Sequence, residues 1–241
     1  MRRFVLGVLL AAAAAASLTA AGEQNTLTAA ETAEGWKLLF DGKSTSGWRG
    51  WKQQSAPEGW KAVDGALTRV AKAGDLITIE KYASFDFAFD WRIAKNGNSG
   101  VFFHVAEGLD LPSTYTTGPE YQLIDNDGHP DAKNGPDRHA GGNYALHPPA
   151  NGAPRPIGEW NQSRLLVNGP HVEHWLNGVK VVEYEMGSDD WNRRVAGSKF
   201  KDMKAFKAPP TKGHICLQDH TARIEYRNIK VRPLHPATPP R

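Results

Sequence analysis

The segment at residues 84–93, SFDFAFDWRI, restricts the fold of this chain more than any other stretch. Every second side chain is apolar, and the side chains between them are mostly charged. Successive side chains of a strand point to opposite faces, so this pattern predicts a strand with one face in a core and one polar face. Such a strand needs a second apolar layer to cover it.

Turn signals divide much of the remaining chain into short segments with strand character. Asp64-Gly65, Asn168-Gly169 and Asn177-Gly178 lie between apolar residues and are typical of two-residue hairpin turns. Many short strands with frequent turns favour an all-β sandwich of two antiparallel sheets. Further strands are predicted at 36–40, 75–80, 100–105, 119–124, 213–219 and 222–231.

One short helix is expected within this β pattern. Ser188 is a suitable N-cap for a segment from Asp189 to about Ser198, which begins with two acidic residues. Trp191 and Val195 would then lie on one helix face and pack against the sandwich.

The N-terminus has the composition of a secretory signal peptide. Arg2 and Arg3 precede an apolar, alanine-rich run from Phe4 to Leu18, and small residues favour cleavage after Ala21. The run is shorter than the ~20 residues of a membrane-spanning helix, so we expect a periplasmic or secreted protein with no membrane anchor after cleavage. The predicted organisation is a signal peptide at 1–21, a flexible leader at 22–34, one domain at 35–235 and a tail at 236–241.

Charge and cysteine content exclude several classes of protein. The formal charge is +3, two units of which belong to the predicted signal peptide, and no basic stripe is present. Nucleic acid is therefore not an expected partner. Cys216 is the only cysteine, so no internal disulfide is expected and the core has to stabilise the fold. The oligomeric state stays open.

The segment 125–159 differs from the rest of the chain. It is rich in Gly, Pro, Asn and Asp and carries His129, His139 and His147. Loops this long are uncommon inside compact domains and are usually functional or disordered. Because it contains aromatic and imidazole groups, we expect an ordered Gly/Pro/His-rich loop that forms the wall of a pocket. The alternative is a mobile surface insertion.

Strand alternation assigns several polar side chains to outer faces of the sandwich. In residues 100–105 it turns Val101, Phe103 and Val105 inward and His104 outward. The outward set as a whole contains a carboxylate, imidazoles, amides, a guanidinium and an indole. These groups suit a polyhydroxylated ligand, because each sugar hydroxyl both donates and accepts hydrogen bonds. The alternative is an ordinary polar outer surface, since alternation does not show which strands share a sheet. The full set is Arg92, His104, Glu120, Gln122, Trp175, Gln218 and His220.

Common catalytic motifs are absent from the sequence. It has no GxSxG, HExxH, CxxC or glycine-rich phosphate loop. Residues 125–128, DNDG, begin like a calcium loop, but Pro136 stands where the loop needs its final Glu, so a turn is expected. Glu120 and Asp125 would point to opposite faces of a strand, which does not favour the paired carboxylates of ordinary glycosidases. Only a turn that begins at Asp125 would bring the two carboxyl groups together.

Several ordered stretches of the chain are similar to a known family. They are GWKLLFDGKSTSGWRGW, NGNSGVFFHV, GPEYQLIDNDGHPD, GEWNQSRLLVNGPHVEHWLNGVKVVEYE and GHICLQDHTARIEYRNIKVRPL. Together, from about Trp36 to Leu234, they resemble the 3-keto-disaccharide hydrolase family. The resemblance implies a concanavalin A-like jelly-roll sandwich, an exported protein, and an enzyme acting on glycosides oxidised to a ketone at C3.

Such a substrate implies a particular chemistry. The ketone acidifies the hydrogen at C2, a base removes it, the aglycone leaves C1 by β-elimination, and water addition completes a net hydrolysis. We expect Glu120 and His220 to serve as base and acid, in an order that the sequence leaves open. The alternatives are a non-catalytic carbohydrate-binding protein and a glucanase that acts on unoxidised sugars.

The remaining expected roles concern substrate and metal binding. Arg92, Gln122 and Gln218 would bind hydroxyls and the C3 oxygen, Trp175 or Tyr144 would stack on a sugar ring, and the long loop would supply Asn143 and Tyr144. His104 stands where the family is expected to have a variable polar residue, often Arg, and would alter substrate choice. No cofactor is required, but a divalent metal could polarise the ketone. Its candidate ligands are His104, Glu120, His129 and His220.

Overall fold

The structure, a computed structural model, describes residues 23–108, 110–220 and 222–234. The predicted signal peptide and the predicted tail lie outside these residues. The strands in chain order are β1 (Lys37–Leu38), β2 (Trp48–Gly50), β3 (Trp60–Val63), β4 (Ala66–Arg69), β5 (Leu76–Thr78), β6 (Phe85–Ile93), β7 (Asn98–Val105), β8 (Glu120–Ile124), β9 (Asn161–Asn168), β10 (His171–Leu176), β11 (Val179–Glu185), β12 (His214–Leu217) and β13 (Ile224–Pro233).

These strands form the predicted sandwich of two antiparallel sheets. The larger sheet has eight strands in the order β11-β10-β9-β6-β13-β4-β3, with β1 paired to β13. The smaller sheet has five strands in the order β2-β5-β12-β7-β8. The all-β fold class predicted from the sequence is confirmed.

The core lies between the two sheets and is largely aromatic. The alternation predicted for β6 is observed, because Phe87 and Trp91 are buried in the core cluster. The Trp91 indole donates a hydrogen bond to Ser163 Oγ at 2.9 Å, and Tyr121 Oη lies 2.9 Å from the same oxygen. Truncating a buried ring of this kind typically costs ~3–5 kcal/mol of stability. These rings therefore hold the sheets face to face.

The alternation predicted for β7 fails at His104, where the strand contains a β-bulge. Val105 pairs with His214 although Phe102 pairs with Cys216, so β7 carries one extra residue. His104 adopts a φ of 55°, and the bulge turns Val105 to the outer side of the sheet, beside Phe102. The inward position predicted for Val105 is therefore wrong.

Two of the three predicted hairpin turns are observed at the predicted residues. Asp64-Gly65 and Asn177-Gly178 have positive φ at both residues and connect β3 to β4 and β10 to β11. The third turn is displaced by one residue, because Asn168 pairs directly with His171. Its central residues are Gly169, with a φ of 61°, and Pro170.

The segment predicted to be a flexible leader contains a helix. This helix, α1 (Ala29–Ala33), begins at a capping box in which the Thr28 and Glu31 side chains bind each other's backbone N–H groups. Upstream, the Asn25 N–H donates to Asn228 Oδ1 at 2.8 Å. The hydrogen bonds within the capping box and to β13 hold the segment against the larger sheet, which the small polar residues alone did not indicate.

The predicted helix is confirmed as α2 (Asp189–Ala196), with Ser188 as its N-cap and with Trp191 and Val195 buried. A further short helix, α3 (Lys204–Lys207), was not predicted. The long loop is ordered around two 3-10 helices, Pro130–Asn134 and Pro136–Arg138. Among the described residues, no helix is long and apolar enough to span a membrane.

Candidate active site

A polar cavity opens on the outer face of the five-stranded sheet, and we call this surface the cavity face. The cavity has a volume of about 280 Å³. This lies at the small end of ligand pockets, ~300–1,000 Å³, and suits a single sugar ring better than an oligosaccharide. It is lined by Asn98, Tyr115, Glu120, Gln122, Tyr144, Lys199, Gln218 and His220.

Glu120 supplies the carboxyl group of this cavity. It begins β8 and is 7% exposed, and none of the hydrogen bonds among the described residues reaches its carboxyl oxygens. Burial raises the pKa of Glu120 to about 8, with the charges of Asp75 and Asp131 acting in the same direction and that of Lys199 opposing them. Such a carboxyl group is protonated at neutral pH far more often than an exposed one.

Gly100 makes room for the Glu120 side chain. It lies on β7, the strand paired with β8, and a Cβ atom added to Gly100 would overlap the Glu120 carboxyl oxygen. Only glycine leaves this space on the neighbouring strand. The sequence therefore contains a signal for the site, at the glycine of NGNSG, that strand alternation alone does not reveal.

Three amide side chains that line the cavity carry unpaired polar atoms. Asn98 Oδ1, Gln122 Nε2 and Gln218 Oε1 are buried, and none has a hydrogen-bond partner among the described residues. Buried polar atoms are nearly always paired, so these two acceptors and one donor are ready to bind a ligand. Their chemistry matches sugar hydroxyls.

His220 lies just beyond the end of β12, and the backbone before it is held firmly. The Asp219 N–H donates to Asp75 Oδ1 at 2.7 Å, and the Gln218 N–H donates to Gly100 O at 2.9 Å. The ring of His220 lies 6.1 Å from that of His129 in an edge-to-face arrangement. Burial and the neighbouring His129 lower the pKa of His220, so its imidazole is mostly neutral at pH 7.

The long loop forms one wall of the cavity, as predicted. It pairs with the free edge of β8, where the Tyr144 N–H donates to Glu120 O at 3.0 Å and the Gly141 N–H donates to Gln122 O at 2.8 Å. The Tyr144 hydroxyl donates to Asp131 Oδ2 at 2.8 Å, which fixes the ring at the cavity. Tyr115 also lines the cavity, stands on a short 3-10 turn and is 43% exposed.

Lys199 is a cation at the cavity that the sequence patterns do not predict. It follows α2, and its Nζ atom lies 4.2 Å from the ring centre of Tyr144, 5.2 Å from that of Phe200 and 5.9 Å from that of Tyr115. Burial lowers the pKa of Lys199. No strand pattern points to this residue, because a loop brings it to the cavity.

Arg92 and Trp175 do not lie at the cavity, contrary to prediction. Both are on the outer face of the eight-stranded sheet, where Arg92 forms an ion pair with Glu225 and the Trp175 indole donates to Glu173 Oε2 at 2.7 Å. Their predicted outward orientation is correct, but they belong to the other sheet. Alternation gives the face of a strand and not the sheet to which it belongs.

His104 and Asn143 are also removed from the cavity. The bulge in β7 leaves His104 1% exposed, with Nε2 2.7 Å from Ala83 O and its ring against Phe85 and Phe103. Asn143 is fully buried, and its amide bonds His147 Nδ1 at 3.0 Å. Asn143 therefore holds the loop in shape and does not face the ligand space.

The candidate metal ligands are only partly brought together. Glu120 and His220 line the cavity, His129 lies beside His220, and His104 lies elsewhere. Within the described ranges, one group of three has donor atoms close enough to share an ion, and it lies on the other sheet: His171, Glu173 and Glu183, with atoms within 4.8 Å of one another. There Lys180 pairs with both carboxylates, at 3.2 Å and 2.5 Å.

Two of the larger cavities lack comparable chemistry. One, of about 390 Å³, lies between the leader and the larger sheet, and its charged residues include Glu31 and Lys230, which form an ion pair with each other. The other, of about 520 Å³, lies between residues 106–117 and 203–210 and is mainly apolar. Neither contains an unpaired buried carboxyl group of the kind found at Glu120.

Comparisons with known proteins identify the family of the chain. A family model described as a 3-keto-alpha-glucoside-1,2-lyase-like domain matches residues 35–232. The chain belongs to this family. The matched residues include strands of both sheets and every residue that lines the cavity. The match confirms the family resemblance seen in the sequence.

Individual relatives give the same result. The 3-keto-disaccharide hydrolase of Bacteroides thetaiotaomicron is 34% identical and aligns over 89% of this chain and 83% of its own length. A Parabacteroides distasonis protein assigned as a glycosyl hydrolase is 36% identical, with a TM-score of 0.82 over 88% of this chain and all of that one. A second structure from that organism is 28% identical, with a TM-score of 0.68 over 83% of this chain and 99% of its own.

Proposed function

We propose that this protein is an exported enzyme that cleaves 3-keto-glycosides by proton abstraction at C2 and β-elimination of the aglycone. Family membership supports the substrate class, and the geometry of the cavity supports the mechanism. The observation that carries the mechanism is that Glu120 is the one carboxyl among the lining residues, beside a neutral imidazole and unpaired amides.

The protonation states of Glu120 and His220 suggest their roles. With a pKa of about 8, Glu120 holds a proton at pH 7, whereas the lowered pKa of His220 leaves its imidazole mostly neutral at that pH. We therefore assign His220 as the base at C2 and Glu120 as the acid that protonates the leaving oxygen. The raised pKa of Glu120 lies close to the working range of general acid–base catalysis.

The other lining residues would bind the substrate. The unpaired atoms of Asn98, Gln122 and Gln218 would bind the ring hydroxyls, and the Tyr144 side chain would border the sugar. The cavity holds about one ring, so the leaving group would extend past the exposed Tyr115. Such an arrangement recognises the oxidised ring and leaves the aglycone less restricted.

The two alternatives fit the site less well. An ordinary glucanase needs two carboxyl groups ~5–9.5 Å apart across the bond, and the lining residues supply one. A binding module would not need a buried carboxyl group with a pKa near 8 and no hydrogen-bond partner, because such a group costs stability. Export is part of the proposal because residues 1–21 have the composition of a signal peptide.

The test uses the mature protein with a 3-keto-glucoside and with the unoxidised parent, followed by NMR in D₂O. We expect cleavage of the keto sugar alone, with deuterium appearing at C2 of the substrate or product. The rate should rise with pH as His220 loses its proton, and this rise should lie below pH 6.5, the ordinary pKa of histidine. The rate should fall around pH 8, where Glu120 loses its proton.

Two results would contradict the proposal. Cleavage of the unoxidised sugar would indicate a conventional glycosidase, and binding without turnover of either sugar would indicate a lectin-like module. A rate that increases through pH 8 would reverse the roles of Glu120 and His220 while leaving the elimination intact. A parallel reaction with a chelator tests whether a divalent metal takes part.

A further inference from the structure

Proton removal at C2 places negative charge on the C3 oxygen, and we propose that the Lys199 ammonium is the group that stabilises it. This inference rests on the proposed function and adds a catalytic residue to it. The sequence predicted Arg92 among the groups that bind the C3 oxygen, but Arg92 is held by Glu225 on the other sheet.

Lys199 is a cation without an anionic partner. Among the described residues, no hydrogen bond or ion pair involves its ammonium group, although this exposed residue lines the cavity and lies beside the Tyr144 ring. Cations on the larger sheet are paired instead, as Arg164 is with Asp86 and Arg227 with Asp90. An unpaired ammonium group on the lining of a polar cavity is available to bind negative charge that develops on a ligand there.

Aromatic rings hold the ammonium at the cavity wall. The Tyr144 ring, 4.2 Å from Nζ, is itself fixed by its hydrogen bond to Asp131. Ring faces attract a cation but leave its N–H groups free to donate to a ligand. The rings therefore position the ammonium group before a ligand binds, and its N–H groups stay available as hydrogen-bond donors.

The backbone at Lys199 is also fixed. The Ser198 hydroxyl donates to Val195 O at 2.9 Å, and the Phe200 N–H donates to Ser198 Oγ at 3.0 Å. Phe200 is buried and stacks on Phe206 with ring centres 4.1 Å apart. Both neighbours of Lys199 are therefore anchored, which limits movement of the ammonium relative to Glu120. Preorganised charges of this kind are effective because they need no reorganisation during the reaction.

Lys199 acts where the C2 proton is removed and negative charge moves to the C3 oxygen. The base takes the C2 proton, the C2–H electrons form a C2=C3 double bond, and the carbonyl electrons move to the C3 oxygen, which receives hydrogen bonds from the ammonium. Those electrons then re-form the C3=O bond, the C2=C3 electrons shift to C1=C2, and the C1–O bond breaks. The acid protonates the departing aglycone oxygen, and Lys199 keeps its own protons throughout.

Arg138 is the other cation near Tyr144, and it is less suited to this role. Its guanidinium carbon lies 4.7 Å from the centre of the Tyr144 ring, but its Nε atom is 3.4 Å from Asp137 Oδ2. It also does not line the cavity. Lys199 is thus the cation that a ligand in the cavity would meet.

The experiment compares K199M and K199R with wild type, using K201M as the matched control because Lys201 is exposed on the same segment. Deuterium exchange at C2 and cleavage of a 3-keto-glucoside are measured by NMR in D₂O, and binding of the unoxidised parent sugar by calorimetry. We expect K199M to lose ~10²–10³-fold in both rates, with sugar binding within about threefold of wild type, and K199R to recover part of the loss. K201M should match wild type.

A second readout separates a catalytic role from a structural one. Removal of the Lys199 charge raises the pKa of Glu120, so the alkaline limb of the K199M rate profile should move to higher pH. K199M rates within threefold of wild type, or an unmoved limb, would overturn the assignment. Borohydride trapping of the keto sugar on Lys199 would also overturn it, in favour of an imine. A wild-type protein that neither exchanges nor cleaves would instead overturn the proposed function itself.

Discussion

The outer faces of the two sheets carry similar residue types but use them in opposite ways. On the larger sheet, which we call the paired face, buried Asp86 accepts from Arg164 at 2.6 and 2.8 Å and from Arg232 at 3.0 Å. On the cavity face, Glu120 and Lys199 each lack an ion-pair partner among the described residues.

The difference is reflected in the titration of the two faces. Burial alone would raise the pKa of Glu225, but Arg92 and Arg223 lower it overall. At Glu120 burial prevails, and its pKa rises to about 8. The paired face therefore satisfies its charges within the protein, whereas the cavity face leaves its polar groups for a ligand.

The largest expected effect comes from Glu120→Gln on the cavity face. Loss of the acid should reduce kcat for a 3-keto-glucoside by ~10²–10⁴-fold, the usual contribution of a general acid or base. The matched change on the paired face, Glu225→Gln, should leave kcat within about threefold. Steady-state kinetics checks both, and an E120Q enzyme with near-normal kcat would remove Glu120 from the mechanism.

Gly100→Ala tests the space that the cavity face keeps for the Glu120 carboxyl. The added methyl group would overlap the carboxyl oxygen and displace it, so we expect kcat/KM to fall by roughly 10–100-fold. Gly197→Ala is the control, because its Cβ would make contacts no closer than 3.7 Å. Equal activities for G100A and wild type would show that the Glu120 position is not critical.

The pH dependence of stability should distinguish the faces in a third way. The folded protein holds the Glu120 proton up to about pH 8, whereas the unfolded chain releases it near 4.5. Stability is therefore lost as pH rises through this window, by up to about 5 kcal/mol. Urea unfolding should show E120Q gaining stability over wild type from pH 5 to pH 9. A difference that stays constant with pH would argue against the raised pKa.

The smallest effect on activity is expected from Arg92→Ala. Its loss leaves Glu225 with Arg223 alone and should cost ~1 kcal/mol of stability, since the Arg92 side chain is 38% exposed. Activity should be unchanged, because Arg92 does not line the cavity. Thermal unfolding measures the loss of stability, and steady-state kinetics measures activity. A large fall in kcat/KM would show that Arg92 takes part in substrate binding or catalysis.

The sequence predicted the two-sheet sandwich, helix α2, and five of the residues that line the cavity: Glu120, Gln122, Tyr144, Gln218 and His220. These predictions rested on local rules, namely the two-residue period of strands, the N-cap at Ser188 and the turn chemistry of Asp64-Gly65 and Asn177-Gly178. The direction of side chains along a strand and the capping of a helix depend on residues close together in the chain, so they can be inferred from the sequence.

Only the tertiary structure decided which outward side chains meet. Arg92 and Glu120 are both outward by alternation, yet they lie on different sheets, because sheet membership depends on strand order across the whole chain. A single extra residue in β7 buried His104. A loop brought Lys199 to Tyr144 with no periodic signal. Contacts between residues far apart in the chain arise from the packing of all the elements together, which no local pattern encodes.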